Sequence, residues 1–158
     1  MKSTGFYHCD TCNNLAVLIS TGKALLHCCN EPMEQLSAKE TGSGQEEHVP
    51  VLSVSNNRLK VAIGAVEHPM TQEHYIQWIA LQEGNHMESV RLRPGDKPEA
   101  EFSYHPFDEQ QELFVGENDE IVPNCEGNPC NFVLTEQPAA RSVVYAYCNQ
   151  HGLWKAEI

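Results

Sequence analysis

Short apolar segments, separated by turn residues, recur along the chain after the first third. Within 59–66 the apolar residues alternate, which places Leu59, Val61 and Ile63 on one face of a strand. Three other segments rich in branched or aromatic residues predict further strands: 49–54, 75–81 and 143–147. Turn signals separate these segments: Asn56-Asn57, Gly84-Asn85 and Pro94-Gly95-Asp96. No long stretch keeps helical periodicity, so the pattern predicts an all-β fold, an antiparallel sandwich or barrel of short strands.

The N-terminal part of the chain follows a different pattern. Residues 1–37 hold one short apolar stretch, too little for an independent core, so a metal is needed to stabilise them. The polar, Gly- and Ser-rich segment 37–47 predicts a linker. We therefore expect a small metal-binding domain at 1–37 and a β-domain at 38–158. Within the second domain, 105–138 is an atypical insert, because so long a loop in a compact β fold is usually functional or folded on itself.

The charge balance narrows the range of partners. The formal net charge is −12, with 22 acidic against 10 basic residues, and no basic cluster stands out. Such a surface repels nucleic acid and anionic lipid. Neither end shows a basic-then-apolar segment and no apolar run is long enough to span a bilayer, so we expect a cytoplasmic protein. Seven cysteines and eight histidines in a reducing compartment favour metal ligands over disulfides.

Four cysteines form the first candidate metal site. Cys9 and Cys12 make a C-x-x-C knuckle, in which two thiolates reach one ion while nearby backbone N–H groups stabilise their charge. Cys28 and Cys29 complete the set, and four sulfur donors imply tetrahedral zinc or iron. Because adjacent cysteines must both turn toward one ion, we expect a distorted tetrahedron. On spacing alone, a structural zinc is favoured over a redox-active iron.

Four histidines and one cysteine form the second candidate site: His48, His68, His74, Cys148 and His151. Pro69 biases His68 toward an extended conformation, which places His68 and His74 on a loop between strands. Each of these histidines alone is more often an ordinary surface or core residue. Together with the C-x-x-H at 148–151, four imidazoles and one thiolate favour iron(II) over four-coordinate zinc and leave one octahedral position open.

A copper site is the alternative for the same C-terminal segment. Blue-copper sites also join a cysteine and a histidine near the end of a β-sandwich, with a second histidine upstream and a methionine a few residues later. Here His151 is followed by Gly152-Leu153-Trp154, and no methionine comes after it. The missing methionine weakens the copper interpretation.

Several long motifs resemble a known family. The cysteines at 9, 12, 28 and 29 resemble the desulforedoxin-like domain of desulfoferrodoxins. Four further segments resemble the catalytic domain of superoxide reductase: EEHVPV (46–51), EHPMTQEHYIQWI (67–79), PGDKPEAEF (94–102) and YCNQHGLWK (147–155). The resemblance covers both ends and most of the middle of the chain and leaves out about 105–138.

The resemblance implies a fold, two iron centres and a reaction. The fold is a rubredoxin-like knuckle followed by an immunoglobulin-like antiparallel β-sandwich. The N-terminal cysteines hold an iron centre with four cysteine ligands, so iron is now favoured over zinc there. The ligands implied for the second iron are four equatorial histidines and one axial cysteine: His48, His68, His74, His151 and Cys148. The family reduces superoxide by one electron to hydrogen peroxide and is re-reduced by a rubredoxin-type donor. The family also implies a cytoplasmic homodimer and a glutamate, here Glu46, that caps the ferric resting state.

One residue departs from the family pattern beside the open position. Members commonly carry a lysine between that glutamate and the first histidine, where it attracts superoxide and orders a proton-donating water; here the residue is Glu47. Reversing a charge near a site changes the association rate of an anion by roughly an order of magnitude or more. We expect either slower capture of superoxide or partial substitution by another cation: Lys97, Lys155 or Arg58.

The insert carries a second departure, the pair Cys125 and Cys130. The segment between them is rich in Gly, Asn and Pro and can close a small ring. One interpretation is a reversible disulfide that senses or relays redox state near the peroxide-forming iron. The other, which the reducing compartment favours, is two free thiols in a surface loop or a fixed turn.

Two other classes of function stay open on the sequence. The first is an electron carrier, blue-copper-like or rubredoxin-like, whose metals serve only outer-sphere transfer. Such a carrier is coordinatively saturated and binds no azide or cyanide. The second is a non-catalytic metal or redox sensor that signals through the insert, which predicts a partner protein and weak turnover.

Overall fold

The computed structural model describes residues 5–18, 24–84, 86–104, 121–124, 131–134 and 142–158. These ranges contain antiparallel strands and a single four-residue helix. No helix among them is long and apolar enough to cross a lipid bilayer. The all-β fold class expected from the alternating pattern is confirmed.

The N-terminal unit is a small antiparallel sheet with a short hairpin inserted in its sequence. Strand β1 (Gly5–His8) lies between β2 (Leu15–Leu18) and β5 (Glu34–Gln35). Between β2 and β5 in the chain, β3 (His27–Cys28) pairs with β4 (Glu31–Pro32). These strands bring the two cysteine pairs close to each other, because one pair follows β1 and the other ends β3.

The larger unit is a sandwich of two antiparallel sheets. The front sheet has the order β10 (Glu99–Ser103), β7 (Arg58–Ile63) and β6 (Pro50–Ser55). The back sheet has the order β14 (Gly152–Glu157), β13 (Val143–Cys148), β8 (Ile76–Glu83) and β9 (His86–Arg91). The helix α1 (Gln45–His48) leads directly into β6. Strands β11 (Ile121–Asn124) and β12 (Asn131–Leu134) form a separate hairpin within the insert.

The core between the two sheets is built from inward-facing residues of each strand, which alternate along β7 and β13 but are offset in β8 by the register shift between Ile76 and Trp78. The front sheet contributes Leu59, Val61 and Ile63, which are 0%, 2% and 1% exposed. The predicted alternation of this strand is therefore confirmed. The back sheet contributes a matching apolar face from β8 and β13: Ile76, Ile79, Leu81, Val144, Ala146 and Cys148. Each large aliphatic side chain that is buried in this core stabilises the fold by about 2 kcal/mol.

The other face of the back sheet packs against the N-terminal unit. Successive strand residues point to opposite faces, so Tyr145 and Tyr147 lie opposite to Val144 and Ala146. Phe6 of β1 is 2% exposed and stacks on Trp78 with ring centroids 5.3 Å apart. The same strand β13 therefore contacts both the sandwich core and the metal-binding knuckle.

Turn residues set the ends of the strands. Asn56 and Asn57, at φ 51° and 58°, form the two-residue turn between β6 and β7, as the sequence predicted. The strand expected over 59–66 ends at Ile63, because Gly64 takes φ 82° and leaves the extended region. Strands β9, β10 and β14 were not predicted. In β10 the alternation of Ala100 and Phe102 with exposed polar residues was a usable signal, whereas β14 does not alternate, because the adjacent Leu153 and Trp154 are both buried.

Two predictions about organisation stay predictions. The division of the chain into 1–37 and 38–158 has no independent observation for or against it. Cys125 and Cys130 lie outside the described residues, so the candidate redox pair has no structural account.

Two candidate metal centres

Two buried histidines of the larger unit have their tautomers set by the backbone. His48 ends α1, and its Nδ1 lies 2.7 Å from the carbonyl oxygen of Gly44. His68 lies in the β7–β8 loop, and its Nδ1 lies 2.6 Å from the carbonyl oxygen of Pro69. A carbonyl oxygen can only accept, so each Nδ1 carries the proton and donates it. Each Nε2 is left with a bare lone pair.

These two lone pairs point at each other and at two further imidazoles. The Nε2 atoms of His48 and His68 are 3.1 Å apart, although neither can donate to the other. The Nδ1 of His151 lies 2.9 Å from the Nε2 of His48 and 3.1 Å from the Nε2 of His74. Bare nitrogen lone pairs at this distance repel one another unless a cation lies among them. The donor set therefore fits a metal ion.

The four nitrogens form a square rather than a tetrahedron. Neighbouring rings have centroids 4.6 to 4.8 Å apart, whereas the centroids of His48 and His74 are 6.1 Å apart, as expected for opposite corners. Metal–nitrogen bonds of about 2.1 Å around a square separate neighbouring nitrogens by about 3.0 Å. The observed nitrogen separations agree with this value. A tetrahedron has no opposite corners, so the arrangement does not fit four-coordinate zinc.

Cys148 supplies a fifth donor. Its Sγ lies 3.6 Å from the Nδ1 of His151, and the thiol is fully buried at the end of β13. Burial raises the pKa of this thiol, while the backbone N–H groups of Gln150 and His151 and the charge of Lys39 oppose that rise. The Sγ of Cys148 would add a thiolate to the four nitrogens as a fifth ligand of such an ion. All five donor atoms lie within 4.8 Å of one another.

The protonation of the histidines suits metal binding. Burial, and next the charge of His48, lower the pKa of His68 to about 4. Burial also lowers the pKa of His48 and of His74, and the nearby carboxylate of Glu47 partly opposes both shifts. A neutral imidazole is the form that binds a metal. The three rings are therefore ready to bind at neutral pH without first losing a proton.

Asn149 connects the two loops that carry the donors. Its Oδ1 accepts from the backbone N–H of Tyr75 at 2.9 Å, and its Nδ2 donates to the carbonyl oxygen of Glu73 at 2.9 Å. Its own backbone N–H donates to the carbonyl oxygen of Tyr75 at 3.2 Å. These bonds tie the segment around His74 to the turn that follows Cys148. The register shift between β13 and β8 at Tyr147/Cys148 occurs at the same place.

The four N-terminal cysteines also converge. The Sγ atoms of Cys12 and Cys28 are 3.5 Å apart, those of Cys28 and Cys29 are 4.0 Å apart, and all four, with Cys9, lie within 4.8 Å of one another. A tetrahedral ion with metal–sulfur bonds of about 2.3 Å separates its sulfurs by about 3.8 Å. Cys29 takes φ 52°, and this left-handed conformation lets two adjacent side chains turn to one point. The unequal distances match the expected distorted tetrahedron.

The thiols of this four-cysteine cluster differ in their acidity. Backbone N–H groups, first that of Cys12, lower the pKa of Cys9 to about 7. Hydrogen bonding with Cys12 raises the pKa of Cys28, and the same neighbour raises the pKa of Cys29 to about 12. The cluster thus accepts a negative charge more readily at Cys9 than at Cys28 or Cys29. A cation among the sulfurs removes this conflict, because it stabilises every thiolate.

Comparison with known proteins identifies the family. The family model described as desulfoferrodoxin matches residues 40–157, and the one described as desulfoferrodoxin, N-terminal domain, matches residues 2–36. The chain belongs to the desulfoferrodoxin family. Its four-cysteine cluster and its cluster of four histidines with one cysteine are consistent with the two iron centres of this family.

Individual relatives cover most of the chain. A desulfoferrodoxin homolog of Archaeoglobus fulgidus is 33% identical over 150 residues, which are 95% of this chain and 94% of that protein. A superoxide reductase of Thermococcus kodakarensis is 28% identical over 121 residues, 72% of this chain and 86% of that protein. The crystal structure of the superoxide reductase from Treponema pallidum superposes with a TM-score of 0.63 at 21% identity and covers 99% of both chains. That superposition shows the shared fold.

The remaining predicted site residues lie around the second cluster or away from it. Glu46 is exposed on α1, and Glu47 is half-buried, with its charge acting on two of the histidines. Two of the three cations considered as substitutes are paired with carboxylates: Arg58 with Glu101 at 3.4 Å, and Lys155 with Glu40 at 2.7 Å and Glu157 at 3.0 Å. The third, Lys97, is exposed in the loop before β10.

Sequence reasoning missed three residues that shape the second cluster. Trp154 is 2% exposed and stacks on the His48 ring with centroids 5.0 Å apart. Lys39 bonds to the carbonyl oxygen of His151 itself, and Asn149 bonds to the backbone on both sides of His74. Trp154 and Asn149 lie inside the C-terminal motif, where their proximity to ligands was a usable signal. No such signal exists for Lys39, because it lies in the linker more than a hundred residues away from the C-terminal motif.

Proposed function

We propose that this chain is a superoxide reductase, which reduces superoxide by one electron to hydrogen peroxide and is re-reduced by a rubredoxin-type donor. The observation that supports it most is the square of four imidazole nitrogens with one buried thiol beside it. Within the described residues, no sixth His, Cys, Asp or Glu joins this group. A ligand set of this kind leaves one side of the square to a small substrate.

In this proposal His48, His68 and His74 bind iron through Nε2, and His151 binds through Nδ1. Iron held this way would supply a Lewis acid and a one-electron reductant. Carbonyl oxygens orient His48 and His68 by accepting their Nδ1 protons, which would keep both rings in place around the metal. The buried thiolate of Cys148 would donate electron density to the iron.

The capture of superoxide depends on residues of α1. By its place in the family motif, Glu46 is the residue that caps the ferric resting state. Glu47 occupies the position where the family commonly has lysine, and its negative charge acts on His48 and His74. An anion that approaches these rings is therefore repelled where the usual member attracts it. We propose that capture of superoxide is slower here, by roughly tenfold, unless a positive field elsewhere compensates.

The main test measures peroxide formed per superoxide consumed in the iron-loaded full chain with a reduced rubredoxin. A reductase yields one peroxide for each superoxide, whereas a dismutase yields one for every two. His74→Ala removes a proposed ligand and should abolish turnover, while His86→Ala, which changes an exposed histidine of β9, is the matched control. Failure of the parent protein to bind azide or cyanide would favour the electron-carrier alternative. Sustained peroxide formation without a donor would contradict the reductase proposal.

A second test addresses Glu47. Glu47→Lys should raise the second-order rate of superoxide capture by roughly tenfold at low salt, and Glu47→Gln by less. The rate is followed by pulse radiolysis over a range of ionic strength. A parent rate that falls steeply with added salt would reveal a compensating positive field and contradict the slow-capture proposal.

The partner and the assembly stay proposals as well. We propose superoxide as the substrate, a rubredoxin-like protein as the donor and a homodimer as the assembled form, all in the cytoplasm. The N-terminal unit packs through Phe6 against Tyr147, on the strand that carries Cys148. Sedimentation and reduction by a purified rubredoxin test these assignments directly.

A further inference from the structure

Lys39 is attached to the strand that follows the second cluster. Its backbone N–H donates to the carbonyl oxygen of Leu153 at 3.0 Å, and its carbonyl oxygen accepts from the N–H of Lys155 at 2.9 Å. Lys39 thus forms a parallel bridge to Trp154 in β14. Because both of its backbone groups are bonded to this strand, the residue has a defined position although it lies in the linker segment.

The side chain of Lys39 reaches the turn that carries two of the donors. Its Nζ donates to the carbonyl oxygen of His151 at 3.1 Å. The same Nζ lies 5.4 Å from the ring centroid of Trp154, whose indole stacks on His48. A hydrogen bond from an ammonium is stronger than one between neutral groups, and a cation over an indole ring adds a further attraction. One ammonium therefore contacts the backbone of one donor residue and the ring that packs on another.

Among the described residues, no carboxylate offsets the charge of Lys39. Lys155, its neighbour in space, is bonded to Glu40 and Glu157. Within the described part of the chain, no acidic side chain pairs with Lys39. Its electrostatic field reaches Cys148. The chain has a net charge of −12, yet the ammonium of Lys39 places a positive charge beside the backbone of the Cys148–His151 turn.

We propose that Lys39 is a positioning residue of the second metal centre: it holds the Cys148–His151 turn through the His151 carbonyl and favours the reduced state of the iron. A positive charge near the ligand atoms disfavours Fe(III), which carries one more charge than Fe(II). Lys39 therefore makes it easier for the iron to take up one electron from the electron-donor protein. The effect is moderate because the ammonium is partly in contact with water. The inference rests on the proposed function only in taking iron as the bound metal.

Three variants of the iron-loaded full chain test the proposal. Lys39→Met removes the charge and the hydrogen bond, Lys39→Arg keeps both, and Lys60→Met removes an equal charge from an exposed position on β7. The measurement is a redox titration followed in the absorption band that thiolate donation to Fe(III) produces. At a fixed applied potential, the Fe(II)/Fe(III) ratio should fall about threefold in Lys39→Met. Lys39→Arg should restore the parent ratio, and Lys60→Met should leave it unchanged.

The outcomes separate this inference from the proposed function. Equal shifts in Lys39→Met and Lys60→Met would overturn the role of Lys39, because net charge alone would then explain the data. No shift in either variant would overturn it as well, because the charge of Lys39 would then have no effect on the iron. Failure of Lys39→Arg to restore the ratio would overturn it too. If the parent binds iron and its potential depends on Lys39, but no superoxide is turned over, the positioning role stands and the proposed function fails. If Lys39→Met does not fold, the comparison of Lys39→Gln with Lys39→Arg provides the same readout.

Discussion

Gly64 follows the last residue of β7 and lies against the backbone of α1. We predict that its replacement by alanine destabilises the fold strongly. The residue takes φ 82°, and its N–H donates to the carbonyl oxygen of Val49 at 3.1 Å. A Cβ at this position would collide with the carbonyl oxygen of Val66 and lie 2.7 Å from the carbonyl carbon and oxygen of Glu47. These are backbone atoms, which cannot rotate away as a side chain can, and both residues are tied by their N–H groups, Val66 to Glu46 and Glu47 to Gly44.

Gly95 offers a matched control for the magnitude. It takes φ 88°, nearly the same conformation, but a Cβ there meets no atom within 4 Å. Gly95→Ala therefore measures the cost of a left-handed alanine alone, about 1 kcal/mol. Gly64→Ala adds the cost of forcing a methyl group into packed backbone, about 1–3 kcal/mol. The smaller conformational freedom of alanine in the unfolded chain is common to both variants and cancels in the comparison.

The assay is guanidinium unfolding of the metal-free protein, with the parent, Gly64→Ala and Gly95→Ala measured together. We expect Gly64→Ala to lower the free energy of unfolding by about 2 kcal/mol more than Gly95→Ala. Because the displaced carbonyl belongs to Glu47, next to His48, iron should also bind more weakly at the second cluster and normally at the four-cysteine cluster. Equal losses in the two variants, with iron bound normally at both clusters, would refute the reasoning.

Three further predictions concern acid, the loop contacts and the insert. Burial lowers the pKa of His68 from its ordinary value of 6.5 to about 4 in the folded chain, so only the unfolded state gains this proton as the pH falls between those values. The metal-free fold should therefore lose about 3 kcal/mol of stability from this residue over that range and none above it, as acid titration of unfolding will show. Asn149→Ala removes two side-chain hydrogen bonds and should lower the free energy of unfolding by about 2 kcal/mol. Gln150→Ala removes one exposed hydrogen bond and should lower it by less than about 1 kcal/mol. Similar losses in the two variants would argue against the connecting role of Asn149. Finally, if Cys125 and Cys130 form a reversible disulfide, a count of free thiols will fall by two after peroxide exposure; an unchanged count would end that interpretation.

The sequence alone was enough to name the residues that meet in the two clusters, four cysteines in one and four histidines with one cysteine in the other. The spacing of the cysteines and the C-x-x-H at 148–151 limit which residues can meet at one ion, because short motifs keep their members close in any fold. The alternation of Leu59, Val61 and Ile63 likewise determined which face of β7 is buried. Such local signals depend on chain geometry over a few residues, and no knowledge of distant contacts is needed to interpret them.

Only the tertiary structure decided what surrounds the donors. The square arrangement of the imidazoles arises because α1, the β7–β8 loop and the turn after β13 meet at one end of the sandwich. Lys39 reaches His151 across 112 positions of sequence, and no pattern in the linker indicates this contact. From the sequence, Lys155 and Arg58 were candidates for free cations, but their neighbours in space are carboxylates. Pairing between distant segments is set by how whole sheets pack, so local sequence determines the ligands while the packing of the sheets determines their charge environment.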